Sequence, residues 1–98
     1  MIEQFSLYNY SSVLVVVLNN TIFNEVESIL VAPVKLKSNE QLIQHLQIPC
    51  TLDDKLHFID LLDIATVSKR GLKAIEGFHL RFKRDEIKSG IDLLIDGF

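Results

Sequence analysis

The residues best suited to chemistry in this 98-residue chain gather near its end: His79, followed by Arg81, Lys83, Arg84 and Lys88. Imidazole changes charge near neutral pH, so His79 can serve as a general acid or base. The four cations can meet a phosphate. An acid, a base and phosphate donors are what ribonuclease chemistry requires. The alternative for the same stretch is a solvated helix start, since charges there satisfy no special geometry. His45 and His57 stand apart, and no Ser, Asp or Cys lies at a spacing that suggests a triad. No catalytic role is assigned to the three histidines on these grounds. Cys50, the single cysteine, cannot form an internal disulfide and has no basic neighbour in sequence to activate it. It reads as a small buried or loop hydrophobe. The cysteine and the scattered histidines offer no metal-ligand spacing, so neither zinc nor another cofactor is expected. The expectation is a protein that is not an enzyme.

The elements that must position these residues are mostly strands. Gln4 to Tyr10 alternates imperfectly, Ser11-Ser12 breaks it, and Val13 to Leu18 follows, which predicts two strands joined by a turn. Asn19-Asn20 ends the second strand, and Ile22-Phe23 then places two adjacent apolar side chains in a loop, where one is expected to stay exposed. Ile29 to Ala32 is a third strand that stops or bends at Pro33, with Val34 and Leu36 resuming it. Ser38 to Asp54 reads poorly: Leu42, Ile43 and Leu46 suggest a short helical turn, and Pro49 and Asp53-Asp54 suggest loop. Leu56 to Val67 predicts two strands, and Leu72 to Phe78 one more. Ile87, Ile91, Leu94 and Ile95 form one helical stripe, with Asp85 and Glu86 in the first turn and Gly97 as the stop. Gly90 inside this helix points to close approach by another element, a second copy of the chain being one candidate. The fold class expected is mainly β, an antiparallel small barrel or curled sheet with one C-terminal α-helix, in a single domain over residues 1–98.

The bulk composition sets the outer limits. Hydrophobic residues make up 48% of the chain and charged residues 23%, which favours a homodimer over a free monomer in a domain with so much surface to cover. The longest unbroken apolar run, Val13 to Leu18, is far short of the roughly 20 residues a spanning helix needs, so no membrane segment is expected. The start, Met1-Ile2-Glu3-Gln4, lacks a secretory pattern, and the expected location is cytoplasmic. A formal charge of −3 gives no global pull toward a phosphate backbone, so direct nucleic-acid binding is not expected.

The order of residues resembles the CcdB toxin family through most of the chain. Gln4-Phe5, Tyr8-Asn9-Tyr10, the strand to Leu18 and Ile22-Phe23 resemble that family's N-terminal hairpin and apolar loop. Leu62-Asp63-Ile64-Ala65-Thr66-Val67 resembles its Asp-Met-Ala-Ser-Val segment. Arg84, Glu86-Ile87-Lys88, Ile91-Asp92-Leu93-Leu94 and Gly97-Phe98 resemble its tail. Ser38 to Asp54 lies outside the match. The resemblance implies an SH3-like barrel, a two-fold homodimer, neutralisation by a cognate antitoxin of the CcdA type, and binding to the DNA gyrase A protein that traps gyrase on cleaved DNA. The implied gyrase-binding residues are Gln4, Phe5, Tyr8, Ile22, Phe23, Asp92, Asp96, Gly97 and Phe98. The family's tail carries a Trp immediately before the Gly, where this chain has Asp96 and no Trp anywhere. That departure removes an anchor of the residue type most enriched at binding hot spots.

Two other functions fit the same fold. The SH3-like barrel is shared with the MazF and PemK ribonuclease toxins, for which His79 and the basic stretch would supply the chemistry, although the Arg-Gly-Asp-like segment of that family is missing near the start. A non-toxic interaction module that keeps the scaffold and has lost the gyrase contact is the other, supported by Asp96.

Overall fold

In the computed structural model, residues 2–20 and 27–97 are described. The elements are β1 (Ser6–Tyr10), β2 (Val13–Val17), β3 (Ser28–Leu36), β4 (Gln47–Leu52), β5 (Lys55–Asp60), β6 (Ala65–Ser68), β7 (Leu72–His79) and α1 (Arg84–Asp96), with 3-10 turns at Leu61–Asp63, Lys69–Gly71 and Arg81–Lys83. The strands form one antiparallel sheet in the order β4-β5-β3-β2-β1-β7, with β6 pairing β3. It curls into a half-barrel closed on one side by α1, which is the expected fold class.

The two tight hairpins follow from their turn residues. Ser11 and Ser12 have φ of 48° and 67°, and Asp53 and Asp54 have 51° and 62°. This left-handed pair matches the twist of the strands it joins. Asn9 Oδ1 accepts from Ser12 N–H at 3.0 Å, fixing the first turn. The β1 strand begins at Ser6 rather than Gln4 because Phe5 is held at φ 64°. Its N–H donates to Val17 O at 2.7 Å and its carbonyl accepts from Leu80 N–H at 2.6 Å.

The apolar run is unbroken because β2 is buried on both faces from Val15 onward, while Val13, at the hairpin end, is exposed. Val16 and Leu18 enter a core with Phe5, Leu7, Ala32, Val34, Ile48, Cys50, Ile59, Leu61, Leu80 and Ile87. Val15 and Val17 enter a second cluster with Tyr8, Ile29 and Val31. Pro33 sits inside β3, where the partner on one side changes from β6, paired with Ser28 to Val31, to β5, paired with Val34 to Leu36. A residue without an N–H suits that handover.

Two sequence expectations are corrected. The stretch read as a helical turn and loop contains a strand, β4, with Pro49 opposite Phe58. β4 is an edge strand, the one kind of strand that tolerates a proline. The helical stripe is only half used: Ile87 is buried and Ile91 half-buried, but Leu94 and Ile95 are exposed. Gly90 allows the predicted close approach within the chain itself. A Cβ there would meet Leu61 Cδ1 and lie 2.5 Å from the His45 carbonyl oxygen, so the missing side chain lets α1 seat on the segment leading into β4.

Candidate functional site

β1 and β7 are out of step. Ser6 faces His79 while Tyr8 faces Ala74, so two steps along β1 correspond to five along β7. The surplus residues bulge outward around Gly77, whose φ of 82° lies where side chains other than glycine are strained. The bulge opens a cleft of about 320 Å³ lined by Glu3, Ser6, Tyr8, Glu76, His79 and Arg81, among others. Glu3, Glu76, His79 and Arg81 are exposed to it and Ser6 is half-buried.

Local hydrogen bonds set the geometry of this cleft. Tyr8, itself 5% exposed, accepts from Glu3 N–H through its hydroxyl at 2.9 Å, and Ser6 N–H donates to Glu3 O at 3.2 Å. These bonds pin the entry to β1 against the sheet. The Arg81 backbone N–H donates to His79 Nδ1 at 3.3 Å. With Nδ1 accepting, the neutral ring carries its proton on Nε2 and presents a donor. A proton acceptor is then left to Glu3 and Glu76, and a cation to Arg81. The cleft thus brings together a donor imidazole, carboxylates and a guanidinium, the components of metal-independent phosphodiester cleavage. Among the described residues, no group of three or more His, Cys, Asp or Glu side chains is placed to hold a metal ion, and no helix is long and apolar enough to cross a membrane.

The residues implied by the family resemblance fall elsewhere. Gln4, Phe5 and Asp92 line one groove of about 260 Å³ with Leu18, Asn20, Arg84, Lys88 and Ile91. Gln4 Nε2 donates to Leu18 O at 3.0 Å, and Phe5 is 4% exposed, so its ring is largely committed to the core. Tyr8 belongs to the second core cluster and to the β1–β7 cleft. Asp96 is exposed at the last turn of α1, and Gly97, at φ 77°, donates its N–H to Leu93 O at 2.9 Å to close the helix. Ile22, Phe23 and Phe98 lie outside the described residues.

Of the basic stretch, only Arg81 reaches the cleft beside His79. Arg84 and Lys88 line the Gln4 groove, and Lys83 pairs with Glu86 at 3.3 Å. The sequence reading missed Glu3, Ser6 and Glu76. The one signal that points to them is Gly77 inside an otherwise strand-like run, which marks a bulge.

No protein-family model and no curated protein matches the chain. Solved structures do. A Mtb toxin superposes with a TM-score of 0.71 at 13% identity, over 87% of this chain and 94% of its own. An endoribonuclease in complex with its cognate antitoxin, from a mycobacterial species, superposes with a TM-score of 0.75 at 12% identity, over 94% of this chain and 92% of its own. The expectation that the chain is not an enzyme is corrected by this neighbour, whose fold extends over nearly the whole chain. At these identities the likeness lies in the fold, which is that of a toxin and of an antitoxin-bound endoribonuclease.

Proposed function

We propose that this chain is the toxin of a toxin–antitoxin pair and that it cleaves single-stranded RNA in the cleft between β1 and β7. The observation that carries the reading is the meeting of His79, Arg81, Glu3 and Glu76 in one bulge-opened cleft, on a fold shared with an endoribonuclease.

The chemistry follows from those groups. A carboxylate of Glu3 or Glu76 takes the proton of a ribose 2′-hydroxyl, whose oxygen attacks the adjacent phosphorus. The bond from phosphorus to the 5′-oxygen breaks, and His79, entering this step as the imidazolium, delivers its Nε2 proton to that leaving oxygen and becomes neutral imidazole. Arg81 holds the charge that builds on the non-bridging oxygens. The products are a 2′,3′-cyclic phosphate and a 5′-hydroxyl. Nucleic-acid binding at the cleft is thereby local, resting on Arg81 rather than on the net charge of −3. A cognate antitoxin would silence the site, and an RNA substrate would be met in the cytoplasm. Leu94 and Ile95, left open on α1, support self-association as a homodimer, for which light scattering at tens of micromolar should give twice the chain mass.

His79→Ala should lower the cleavage rate by about 10²–10⁴-fold, read from product ends on a labelled RNA. An unchanged rate would remove His79 from the reaction. One observation favours a second reading, binding to the gyrase A protein: Gln4, Phe5 and Asp92 converge on a single groove. Titration with a gyrase A fragment tests it, and an Asp92→Lys variant that binds no more weakly would exclude that groove.

A further inference from the structure

Phe82 is 65% exposed and belongs to neither core cluster. It sits in the turn just after β7, where its ring and that of His79 meet in a T-shaped arrangement at 6.4 Å between centroids and 69° between planes. His79 and Arg81 open onto the β1–β7 cleft. Phe82 also lines a shallow depression with Pro49, Thr51, Leu56 and Lys83. Leu56 is itself 46% exposed. An aromatic ring, two apolar walls and a cation therefore adjoin His79 through the contact of its ring with Phe82.

We propose that Phe82 is the stacking platform for the nucleobase next to the cleaved linkage, with Pro49 and Leu56 walling the subsite and Lys83 exchanging its Glu86 partner for the flanking phosphate. The inference rests on the ribonuclease reading and names what that site selects. A base can stack on a side chain only when its face is uncovered, so the platform admits single-stranded RNA and rejects a duplex. Stacking is tolerant of base identity, so Phe82 contributes affinity and strand selection rather than a sequence code. The alternating Arg81, Phe82 and Lys83 give a cation, ring and cation in series, the pattern that tracks a single strand.

The chain has no tryptophan, so Phe82→Trp places its single tryptophan, excited apart from Tyr8 and Tyr10 at the red edge of the absorption band, at the proposed contact. Titration of that variant with 2′-O-methyl RNA decamers of mixed sequence, which bind without being cleaved, should quench its emission. Phe82→Ala should raise KM for a cleavable single-stranded RNA roughly tenfold, with kcat little changed and the melting temperature unaltered. RNA binding with unquenched emission and an unchanged KM would overturn the platform while leaving the ribonuclease reading intact. Quenching by a gyrase A fragment but not by RNA would also overturn it, in favour of an apolar protein contact. Failure of the unaltered protein to bind or cleave RNA would overturn the ribonuclease reading, and the platform with it.

Discussion

Asp60 is 5% exposed and still fully engaged. One carboxylate oxygen takes the Lys35 ammonium at 2.8 Å and the other accepts from Leu62 N–H at 3.1 Å, capping the 3-10 turn after β5. Lys35 also reaches Asp63 at 3.3 Å. The hydrogen bond to Asp60 is the main cause that raises the Lys35 pKa above its ordinary 10.5, with desolvation opposing it. A raised lysine pKa stabilises the fold fully below that ordinary value and loses the effect as pH climbs through the raised one. Lys35→Met leaves a buried carboxylate short of a partner and should cost about 1–3 kcal/mol in urea unfolding near neutral pH. The gap from wild type should hold to about pH 10 and close above it. Cys50 is moved in the same direction: burial pushes its thiol up to about 11, with the charge of Lys83 opposing weakly. Native protein at pH 8 should therefore resist alkylation at Cys50, while urea-unfolded protein reacts readily.

At the scale of elements, β7 and α1 depend on a glycine in opposite ways. The bulge in β7 depends on Gly77 at positive φ, yet a Cβ there would meet nothing within 4 Å. Gly77→Ala is therefore strained without being crowded, by about 1 kcal/mol. Its expected effect is a small loss of melting temperature with a larger loss of cleavage, since the bulge sets where Glu76 stands relative to His79. α1 depends on a missing side chain. Gly90→Ala gains about 1 kcal/mol of helix propensity, but its methyl would press on the His45 carbonyl and on Leu61. Overpacking against backbone typically costs about 1–3 kcal/mol, so the melting temperature should fall.

These two elements also show what the sequence made legible. The α1 stripe and its Gly97 stop were readable from spacing alone, as were the strands around each Ser-Ser or valine signal. The burial of that stripe was not, because it depends on how far the sheet extends beneath the helix. β4 was hidden since Pro49 argues against a strand unless the strand is known to lie at an edge. The candidate site was hidden for a similar reason. Glu3, Ser6, Glu76, His79 and Arg81 come from both ends of the chain, and only the β1–β7 pairing and its bulge bring them together.

For the whole molecule, one half-barrel offers two unlike surfaces. A polar cleft with ionisable groups lies on β1 and β7, and a groove between the chain start and α1 gathers Gln4, Phe5 and Asp92. The same scaffold can therefore present a catalytic site or a protein-docking site, and the fold alone does not choose between them. The most direct discrimination is incubation of the purified protein with a 5′-labelled single-stranded RNA, with His79→Ala alongside and the ends of the products analysed. The account predicts cleavage to 2′,3′-cyclic phosphate ends, reduced at least about a hundredfold in the variant. Intact RNA, together with tight binding of the same preparation to a gyrase A fragment, would contradict it.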